Sequence, residues 1–209
     1  MINKYHQIYI DIFSDGDKTL DENNHIIQEV ERFIAYRMTW ETKYATNYLF
    51  NLGRSAANGK STFSKMNQKV LPTYWAEIFK DAFSSKNKAN HKDLYNYQTS
   101  WHIYCDEIDI YNLDIKQFKL ICEERMTVRP LYQHTILLEN HLHTYITGNN
   151  EPKLKADNGL LRSRLLMETK NKFYPLNKYN DLPMNWKQNA NIANTDLVND
   201  LDNVKDIIA

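Results

Sequence analysis

The stretch NLGRSAANGKST ends in residues of the types from which a phosphate-binding loop is built. Such a loop needs backbone N–H groups turned inward, a lysine for the β and γ phosphates, and a hydroxyl for Mg²⁺, all at the N-terminus of a helix. Gly59, Lys60 and Ser61 supply the end of this pattern, but Arg54 stands at the usual position of the first glycine and Gly53 comes one residue too early. The loop is therefore one residue longer than usual or begins with a non-glycine residue. A Gly-Lys-Ser tripeptide also arises by chance in surface loops.

Two acidic side chains further along the chain strengthen the hypothesis of a nucleotide site. In WHIYCDEID, Asp106 and Glu107 follow an apolar stretch with strand character. Asp106 could hold Mg²⁺ through water, and Glu107 could polarise an attacking water. The alternative is that these residues and Asp109 form an ordinary solvated loop, as most acidic runs do. Their combination with the Gly-Lys-Ser tripeptide favours the catalytic interpretation.

The elements around these residues are predicted in the order that a phosphate-binding loop requires. YATNYLFNLG predicts a buried strand that Gly53 ends. From Ser61 onward, apolar residues on one face predict a helix that Pro72 breaks. Before the loop, NNHIIQEVERFIAYRM predicts an amphipathic helix with Asn23 or Asn24 near its N-cap.

The remaining elements alternate between helix and strand. YWAEIFKDAF and DIKQFKLICEERM have helical spacing, WHIYCDEIDI and HLHTYIT are predicted strands, and TVRPLYQHTILL is predicted to form a hairpin. The tail from Asp181 is rich in Asn and Asp and is expected to be partly ordered at best. This alternation predicts an α/β layered domain with a mostly parallel sheet.

Composition sets the broad class of the protein. A chain of 209 residues with 42% hydrophobic and 25% charged residues can bury one sizeable core. Its 26 basic and 26 acidic residues cancel, so net charge points to no particular partner. Cys105 and Cys122 lie in apolar segments without metal-ligand spacing, which fits a reducing compartment. No apolar run is long enough for a membrane span and no secretory leader is evident, so we expect a soluble intracellular protein without a membrane partner.

Several motif-like stretches follow one another along the chain: ANGKSTF, IYCDEID, FKLICEERMTVRPLY, YITGNNEP and DNGLLRSRLLMETKNKF. From about Ile26 to Phe173 the chain resembles a superfamily 3 helicase, one of the replication ATPases of viruses, phages and plasmids. It is most similar to the helicase part of poxvirus and phage primase-helicases. The stretches resemble the family's nucleotide loop, its metal-binding and water-activating strand, its third block, its strand ending in Asn-x-x-Pro, and its block of basic residues before a phenylalanine.

The resemblance implies a P-loop AAA+ core over residues 41–180, a mostly parallel sheet flanked by helices, with a helical extension over 1–40 and a polar tail over 181–209. Such proteins work as rings, usually hexamers, that hydrolyse ATP at subunit boundaries and thread single-stranded DNA. The implied cofactors are ATP and Mg²⁺, and the implied role is replication of a virus, phage or mobile element. The alternative is a nucleotide-binding ring that regulates or scaffolds without unwinding. A small-molecule kinase ranks last.

The resemblance also carries roles onto individual residues. Asn149 would sense the γ phosphate, and either Arg162 or Arg164 would reach a neighbouring subunit's ATP as an arginine finger, which is worth roughly 10³ to 10⁵ in turnover where measured. The implied catalytic residues are Lys60, Glu107, Asn149, Arg162 and Arg164; the implied Mg²⁺ ligands are Ser61 and Asp106; the implied nucleotide-binding residues are Ala57, Asn58, Gly59, Lys60, Ser61 and Thr62.

DNA contacts are expected from the third block and the hairpin after it. A motor that tracks along DNA needs contacts with phosphates more than with bases. For Lys119 and Arg129 the alternative is a salt bridge to Glu123 or Glu124. The expected DNA-binding residues are Lys119, Arg125, Arg129 and His134.

Two departures from the family concern its arginines and its accessory module. The family's paired arginines are spread here as Arg162-Ser163-Arg164, so either could be the finger. Relatives often carry a large N-terminal priming or origin-binding module, and only about 25 residues precede the first predicted helix here. We therefore expect a separate primase or origin-binding protein, or a reduced relative of the family.

Two weaker patterns predict no metal site. Residues 11–22 nearly fit a calcium-binding loop, but Phe13 occupies a position that should offer oxygen. His141 and His143 alternate along a predicted strand without a further ligand at suitable spacing, which favours a half-exposed strand face.

Overall fold

The structure is a computed structural model that describes residues 4–36, 48–53, 55–84, 93–108, 111–123, 125–129, 132–139, 142–151, 159–160, 164–184 and 190–193. Its helices are α1 (Lys4–Phe13), α2 (Leu20–Tyr36), α3 (Lys60–Val70), α4 (Ile115–Cys122) and α5 (Leu176–Asn180). Its strands are β1 (Tyr48–Leu52), β2 (Trp75–Glu77), β3 (His102–Cys105), β4 (Arg125–Val128), β5 (Ile136–Glu139), β6 (His143–Gly148), β7 (Arg164–Glu168), β8 (Lys172–Tyr174) and β9 (Ala190–Ile192).

Five strands form a parallel sheet in the order β2-β3-β6-β1-β7. Every residue of β1 and of β6 is buried, because both faces of the sheet are covered. Strands covered on both faces read as continuous apolar runs, which is the pattern of YLFNL. The predicted α/β architecture with a mostly parallel sheet is therefore confirmed.

Two apolar clusters pack on this sheet. One cluster joins α1, α2 and α3 around Tyr9, Phe63 and Trp75. The other joins α4 and the antiparallel β4–β5 hairpin around Phe118 and Ile121. The predicted helix after the loop and the predicted hairpin are both present. The helix predicted from DIKQFKLICEERM ends at Cys122, and Arg125 and Met126 at the end of that stretch lie in β4 instead.

Helix α2 begins earlier than the predicted cap at Asn23 or Asn24. Thr19 and Glu22 form a capping box, in which the Thr19 N–H donates to the Glu22 carboxylate at 2.8 Å and the Glu22 N–H donates to Thr19 Oγ1 at 3.3 Å. Asn23 instead bonds the loop before the helix, where its Oδ1 accepts from the Asp15 N–H at 2.7 Å. Apolar spacing alone could not locate the cap, because the first turn of α2 is polar.

The segment YWAEIFKDAF is not the predicted helix. It contains the edge strand β2 and a 3₁₀ turn at Lys80–Phe83. The N–H groups of Tyr74 and Trp75 both donate to the Leu71 carbonyl, which turns the chain back after α3. Trp75 is then buried against the sheet, and pairing with β3 outweighs the helical spacing.

His143 does not lie on the half-exposed face that its alternation predicted. It is 2% exposed, because β6 is a central strand and α2 covers this end of it. The Phe33 ring stacks on the His143 ring at a centroid distance of 4.8 Å. His141 lies outside the described residues.

The polar tail is described in part. Residues 190–192 form β9, which pairs in parallel with β8. Asn191 Nδ2 donates to the Asp11 carbonyl at 3.3 Å, so the tail contacts the end of α1.

Candidate nucleotide-binding site

The loop between β1 and α3 has the backbone form that a phosphate requires. Gly59 is the N-cap of α3 with φ of 84°, and the Phe63 N–H donates to its carbonyl at 2.9 Å. Ala57 also has a left-handed backbone, with φ of 60°. Left-handed residues in such turns create the concavities of N–H groups in which anions bind. The helix N-terminus adds its own free N–H groups.

Gly53 explains the irregular spacing of the sequence pattern. A Cβ at this position would lie 2.0 Å from Asn58 Nδ2 and 2.5 Å from Lys60 Nζ. No other residue could stand there without displacing the lysine. Gly53 is thus the glycine at the start of the loop, and the loop is one residue longer than the usual pattern.

Lys60 lies at the centre of the site and is only 6% exposed. Its Nζ donates to the Gly53 carbonyl at 2.9 Å, to Asn58 Oδ1 at 3.1 Å and to Asn149 Oδ1 at 3.2 Å. Desolvation lowers the pKa of Lys60, while the charges of Glu107 and Asp106 oppose that shift. A bound polyphosphate would stabilise the charged form of this ammonium group.

The acidic residues meet the loop at the carboxyl end of β3. Ser61 Oγ donates to Asp106 Oδ2 at 3.2 Å. Thr147, at the end of β6, donates through Oγ1 to Asp106 Oδ1 at 2.6 Å and accepts from the Glu107 N–H at 2.9 Å. Glu107 has a left-handed backbone with φ of 52°, and its side chain is exposed. One threonine thus positions both acids.

The structure therefore brings most of the predicted nucleotide residues to one edge of the sheet. Lys60 bonds Asn58 and Asn149, and Ser61 bonds Asp106, at the carboxyl ends of β1, β3 and β6. The remaining predicted loop residues, Ala57, Gly59 and Thr62, line an adjacent cavity. Ligands of open parallel sheets bind beyond the carboxyl ends of the strands.

Of the two candidate arginine fingers, the structure describes Arg164. Arg164 begins β7 and is in register with Tyr48 at the amino end of β1, whereas Lys60 packs at the carboxyl end. The Arg164 guanidinium forms an ion pair with Glu151. Arg162 lies outside the described residues, as does the proline of Asn-x-x-Pro.

The predicted DNA-binding residues lie on α4 and the hairpin. Arg125, Arg129 and His134 are exposed, and Lys119 on α4 is half-buried. Arg125 stands directly opposite Glu139 in the register of β4 and β5, which is a favourable pair of opposite charges across strands. Tyr132 is fully exposed at the turn and has φ of 61°.

Sequence reasoning missed the role of Thr147 and left open whether Gly53 begins the loop. Thr147 is 41 positions from Asp106, and the two meet only because β6 lies beside β3. The available signal was a polar β-branched residue two positions before Asn149 at the end of a strand.

The two weaker metal patterns have other contacts in the structure. Lys170 Nζ pairs with Asp15 at 2.7 Å and with Asp17 at 3.5 Å within the stretch that resembles a calcium loop. Across the described ranges, no group of three or more His, Cys, Asp or Glu side chains is placed to hold a metal ion. Mg²⁺ needs no such group, since one or two carboxylates and substrate phosphates hold it. Cys105 and Cys122 are buried free thiols, and desolvation raises the pKa of each to about 12.

Comparison with known proteins places the chain in a family and identifies similar folds. A family described as "Family of unknown function (DUF5906)" matches residues 52–164, which is more than half of the chain. Two apo structures of the NrS-1 C-terminal region superpose with TM-scores of 0.62 and 0.59 at 11% identity, covering 98% and 96% of this chain. The chain spans 44% and 42% of those two structures, so it corresponds to less than half of them. No curated protein matches this chain.

In the part of the chain that the structure describes, no helix combines the length and apolar character needed to span a membrane.

Proposed function

We propose that this chain, which belongs to DUF5906, a family of unknown function, is an ATP-driven motor that acts on single-stranded DNA during replication of a virus, phage or mobile element. The observation that carries the proposal is the meeting of the Lys60 ammonium, the Ser61 hydroxyl and the Asp106 carboxylate at the carboxyl edge of the parallel sheet. A phosphate loop, a metal-binding hydroxyl and an acid at the end of a second strand are the parts of a P-loop nucleotide site.

Each residue of the site has a role that its contacts support. Lys60 would exchange its protein oxygen partners for phosphate oxygens. Ser61 and Asp106 would hold Mg²⁺, which neutralises phosphate charge when it is bound. Glu107 would polarise the attacking water, since Thr147 fixes its backbone and its side chain is open to solvent. Asn149 contacts Lys60 directly, so its position would respond to the γ phosphate.

The motor is proposed to work as a ring, most simply a hexamer, on a P-loop AAA+ core. Arg164 lies at the opposite end of its strand from the phosphate loop of its own chain, which supports a role toward a neighbouring subunit. The exposed Arg129 and His134 on the hairpin would contact DNA phosphates.

The test is ATP hydrolysis across protein concentrations, with and without single-stranded DNA, for the wild type, Lys60→Ala, Glu107→Gln and Lys65→Ala. Lys65 is exposed on the same helix as Lys60 and serves as the matched control. We expect Lys60→Ala to lose nucleotide binding, Glu107→Gln to bind but not hydrolyse, and Lys65→Ala to match the wild type. A wild-type protein without hydrolysis at any concentration, with or without DNA, contradicts the proposal.

A second candidate is a nucleotide-binding ring that regulates or scaffolds without unwinding. The ion pair between Arg164 and Glu151 favours it, because that arginine is already neutralised within its own chain. Unwinding of a forked DNA duplex by the isolated chain with ATP excludes this candidate. Nucleotide binding without unwinding or DNA-stimulated hydrolysis supports it.

A further inference from the structure

A cavity of about 310 Å³ opens beside the phosphate loop, between the first helix and the C-terminal strands. It shares Ala57, Gly59 and Thr62 with the loop. Its other walls come from α1, from Phe173 on β8 and from Ile192 at the end of β9. A volume near the lower bound of ligand pockets, roughly 300 Å³, suits a small planar group better than a large ligand.

The walls of the cavity are apolar and are fixed to the loop. Ile8 and Ile12 are buried members of the core cluster that also contains Phe63. The Phe173 N–H donates to the Ala57 carbonyl at 2.7 Å, so β8 is bonded to the loop. A Cβ on Gly59 would approach Ile12 to 2.8 Å and Phe173 to 3.1 Å, so the loop and walls pack closely.

Asp11 is the charged residue among those that line the cavity. Its Oδ1 accepts from Gln7 Nε2 at 2.8 Å, and within the described ranges Oδ2 has no hydrogen-bonding partner. Its backbone carbonyl accepts from Asn171 at 2.8 Å and from Asn191 at 3.3 Å, which fixes the residue from two sides. A carboxylate only accepts hydrogen bonds, so it recognises a group that donates.

We propose that this cavity binds the base of the nucleotide and that Asp11 selects bases carrying an exocyclic amino group. The proposal rests on the proposed function, because the phosphates in the loop would deliver the base to the adjoining cavity. Ile8, Ile12 and Phe173 provide the apolar surfaces on which a planar ring packs. The amino group of adenine donates to the carboxylate, whereas an unsubstituted purine has no such donor. The C-terminal strand β9 thereby becomes part of the ligand site.

The experiment measures dissociation constants of the full chain for ATP, purine riboside triphosphate and inorganic tripolyphosphate in the presence of Mg²⁺. The variants are Asp11→Leu, the cavity-filling Ile192→Trp and the control Asp21→Leu, which removes an exposed acid from α2. We expect the wild type to bind ATP about tenfold or more tightly than purine riboside triphosphate. Asp11→Leu should remove the preference for ATP over purine riboside triphosphate. Ile192→Trp should weaken the binding of both nucleotides but not of tripolyphosphate, and Asp21→Leu should change none of the three affinities.

The possible outcomes distinguish base binding in the cavity from phosphate binding in the loop. If ATP and tripolyphosphate bind the wild type equally well, the cavity holds no base and this proposal is overturned while the phosphate site stands. If ATP and purine riboside triphosphate bind equally in both the wild type and Asp11→Leu, the selection by Asp11 is overturned. If none of the three ligands binds, both this proposal and the proposed function fail.

Discussion

At the scale of single residues, the geometry of the acidic pair depends on a neutral side chain. Thr147 donates to Asp106 and accepts from the backbone of Glu107 with one hydroxyl. Thr147→Val keeps the shape of the side chain but removes both hydrogen bonds. Because a hydrogen bond to a charged group contributes about 1.5–3 kcal/mol, we expect hydrolysis to fall by roughly 10- to 100-fold. Thr147→Ser should recover most of the rate.

The measurement for Thr147 is the rate of ATP hydrolysis as a function of Mg²⁺, with thermal unfolding of each variant as the control for folding. A positioning role predicts that Thr147→Val needs more Mg²⁺ while its unfolding midpoint stays close to that of Thr147→Ser. Wild-type turnover and Mg²⁺ dependence in Thr147→Val would show that the acids are positioned without this hydroxyl.

Lys60 gives a prediction about pH. Desolvation lowers its pKa below the usual 10.5, and phosphate binding requires the charged form. Affinity for tripolyphosphate should therefore decline as pH rises through the lowered pKa of Lys60, on the alkaline side and below 10.5. Lys60→Arg should show no such decline in this range, because arginine stays charged. Parallel declines in the two proteins would assign the pH dependence to another group.

The sequence predicts the site residues that are adjacent along the chain better than those that the sheet brings together. Gly59, Lys60 and Ser61 are adjacent in sequence, so their common location at a helix start follows from local pattern alone. The contact of Thr147 with Asp106 depends on β3 and β6 being neighbours in the sheet, which no local pattern encodes. The importance of Gly53 likewise depends on the path of a lysine side chain seven positions later.

At the scale of elements, the C-terminus of α2 is held by two buried histidines. The last carbonyls of a helix have no partner within it. His143 Nδ1 donates to the Phe33 carbonyl at 3.1 Å, and His102 Nε2 donates to the Ile34 carbonyl at 3.2 Å. A carbonyl oxygen only accepts, so each of these ring nitrogens carries its proton. The two histidines are in register on neighbouring strands and connect the sheet to α2.

We expect His143→Leu to lower the free energy of unfolding by about 1–3 kcal/mol, because the Phe33 carbonyl would be left buried without its donor. The measurement is chemical denaturation of the variant and the wild type. His25→Leu is the control, since His25 lies on the exposed face of the same helix. Equal losses in the two variants would show that the hydrogen bond to the helix end contributes little.

Element types were predicted best where burial and local pattern agree. The run YLFNL reads as a buried strand and is one, and Asp114 caps α4 by accepting from the N–H groups of Lys116 and Gln117. The segment 74–83 has helical spacing, yet it pairs with β3 at the edge of the sheet. Sheet pairing depends on distant residues and can outweigh local preference, which is why this element was predicted wrongly.

The hairpin allows a prediction that ranks two arginine substitutions by their effect on the affinity for single-stranded DNA. Arg129 and His134 are exposed, whereas Arg125 faces Glu139 across the strands. If the hairpin contacts phosphates, Arg129→Ala should weaken binding to single-stranded DNA and reduce the salt slope by roughly one. Arg125→Ala should have a smaller effect, because Glu139 lies directly opposite Arg125 in the hairpin and offsets the attraction of its charge to phosphates. Fluorescence anisotropy at several salt concentrations measures both, with Lys178→Ala on α5 as the control.

The order of effects decides the role of the hairpin. Equal affinity in Arg129→Ala, Lys178→Ala and the wild type would place the DNA contacts elsewhere. A uniform loss in all three basic variants would indicate general attraction rather than a hairpin contact.

At the scale of the whole molecule, the residues that follow β7 contact the end of α1 and the loop after it. Asn171, after β7, donates to the carbonyls of Asp11 and Ser14, and Lys170 pairs with Asp15. These contacts join the loop between α1 and α2 to residues more than 150 positions away. The class of fold was predictable from the alternation of helices and strands. The contacts of Lys170 and Asn171 with the α1–α2 region were not, because the segments that form them are polar and lack periodicity.

Assembly gives the sharpest prediction for the whole molecule. Suppose that one subunit's arginine acts on the ATP of its neighbour. A Lys60→Ala subunit then cannot bind nucleotide but still supplies its arginine to the neighbour, whereas a subunit with the arginine replaced binds nucleotide but supplies no arginine. Each variant alone should be inactive, and mixing them should restore part of the hydrolysis rate, because some interfaces then combine an intact loop with an intact arginine.

The experiment is run with Arg164→Ala and with Arg162→Ala, and the variant that complements Lys60→Ala identifies the finger. A mixture of Lys60→Ala with Glu107→Gln is the control, since both lesions lie in the nucleotide-holding subunit and no interface is repaired. Restoration by neither arginine variant would mean that hydrolysis does not depend on an arginine from the neighbouring chain.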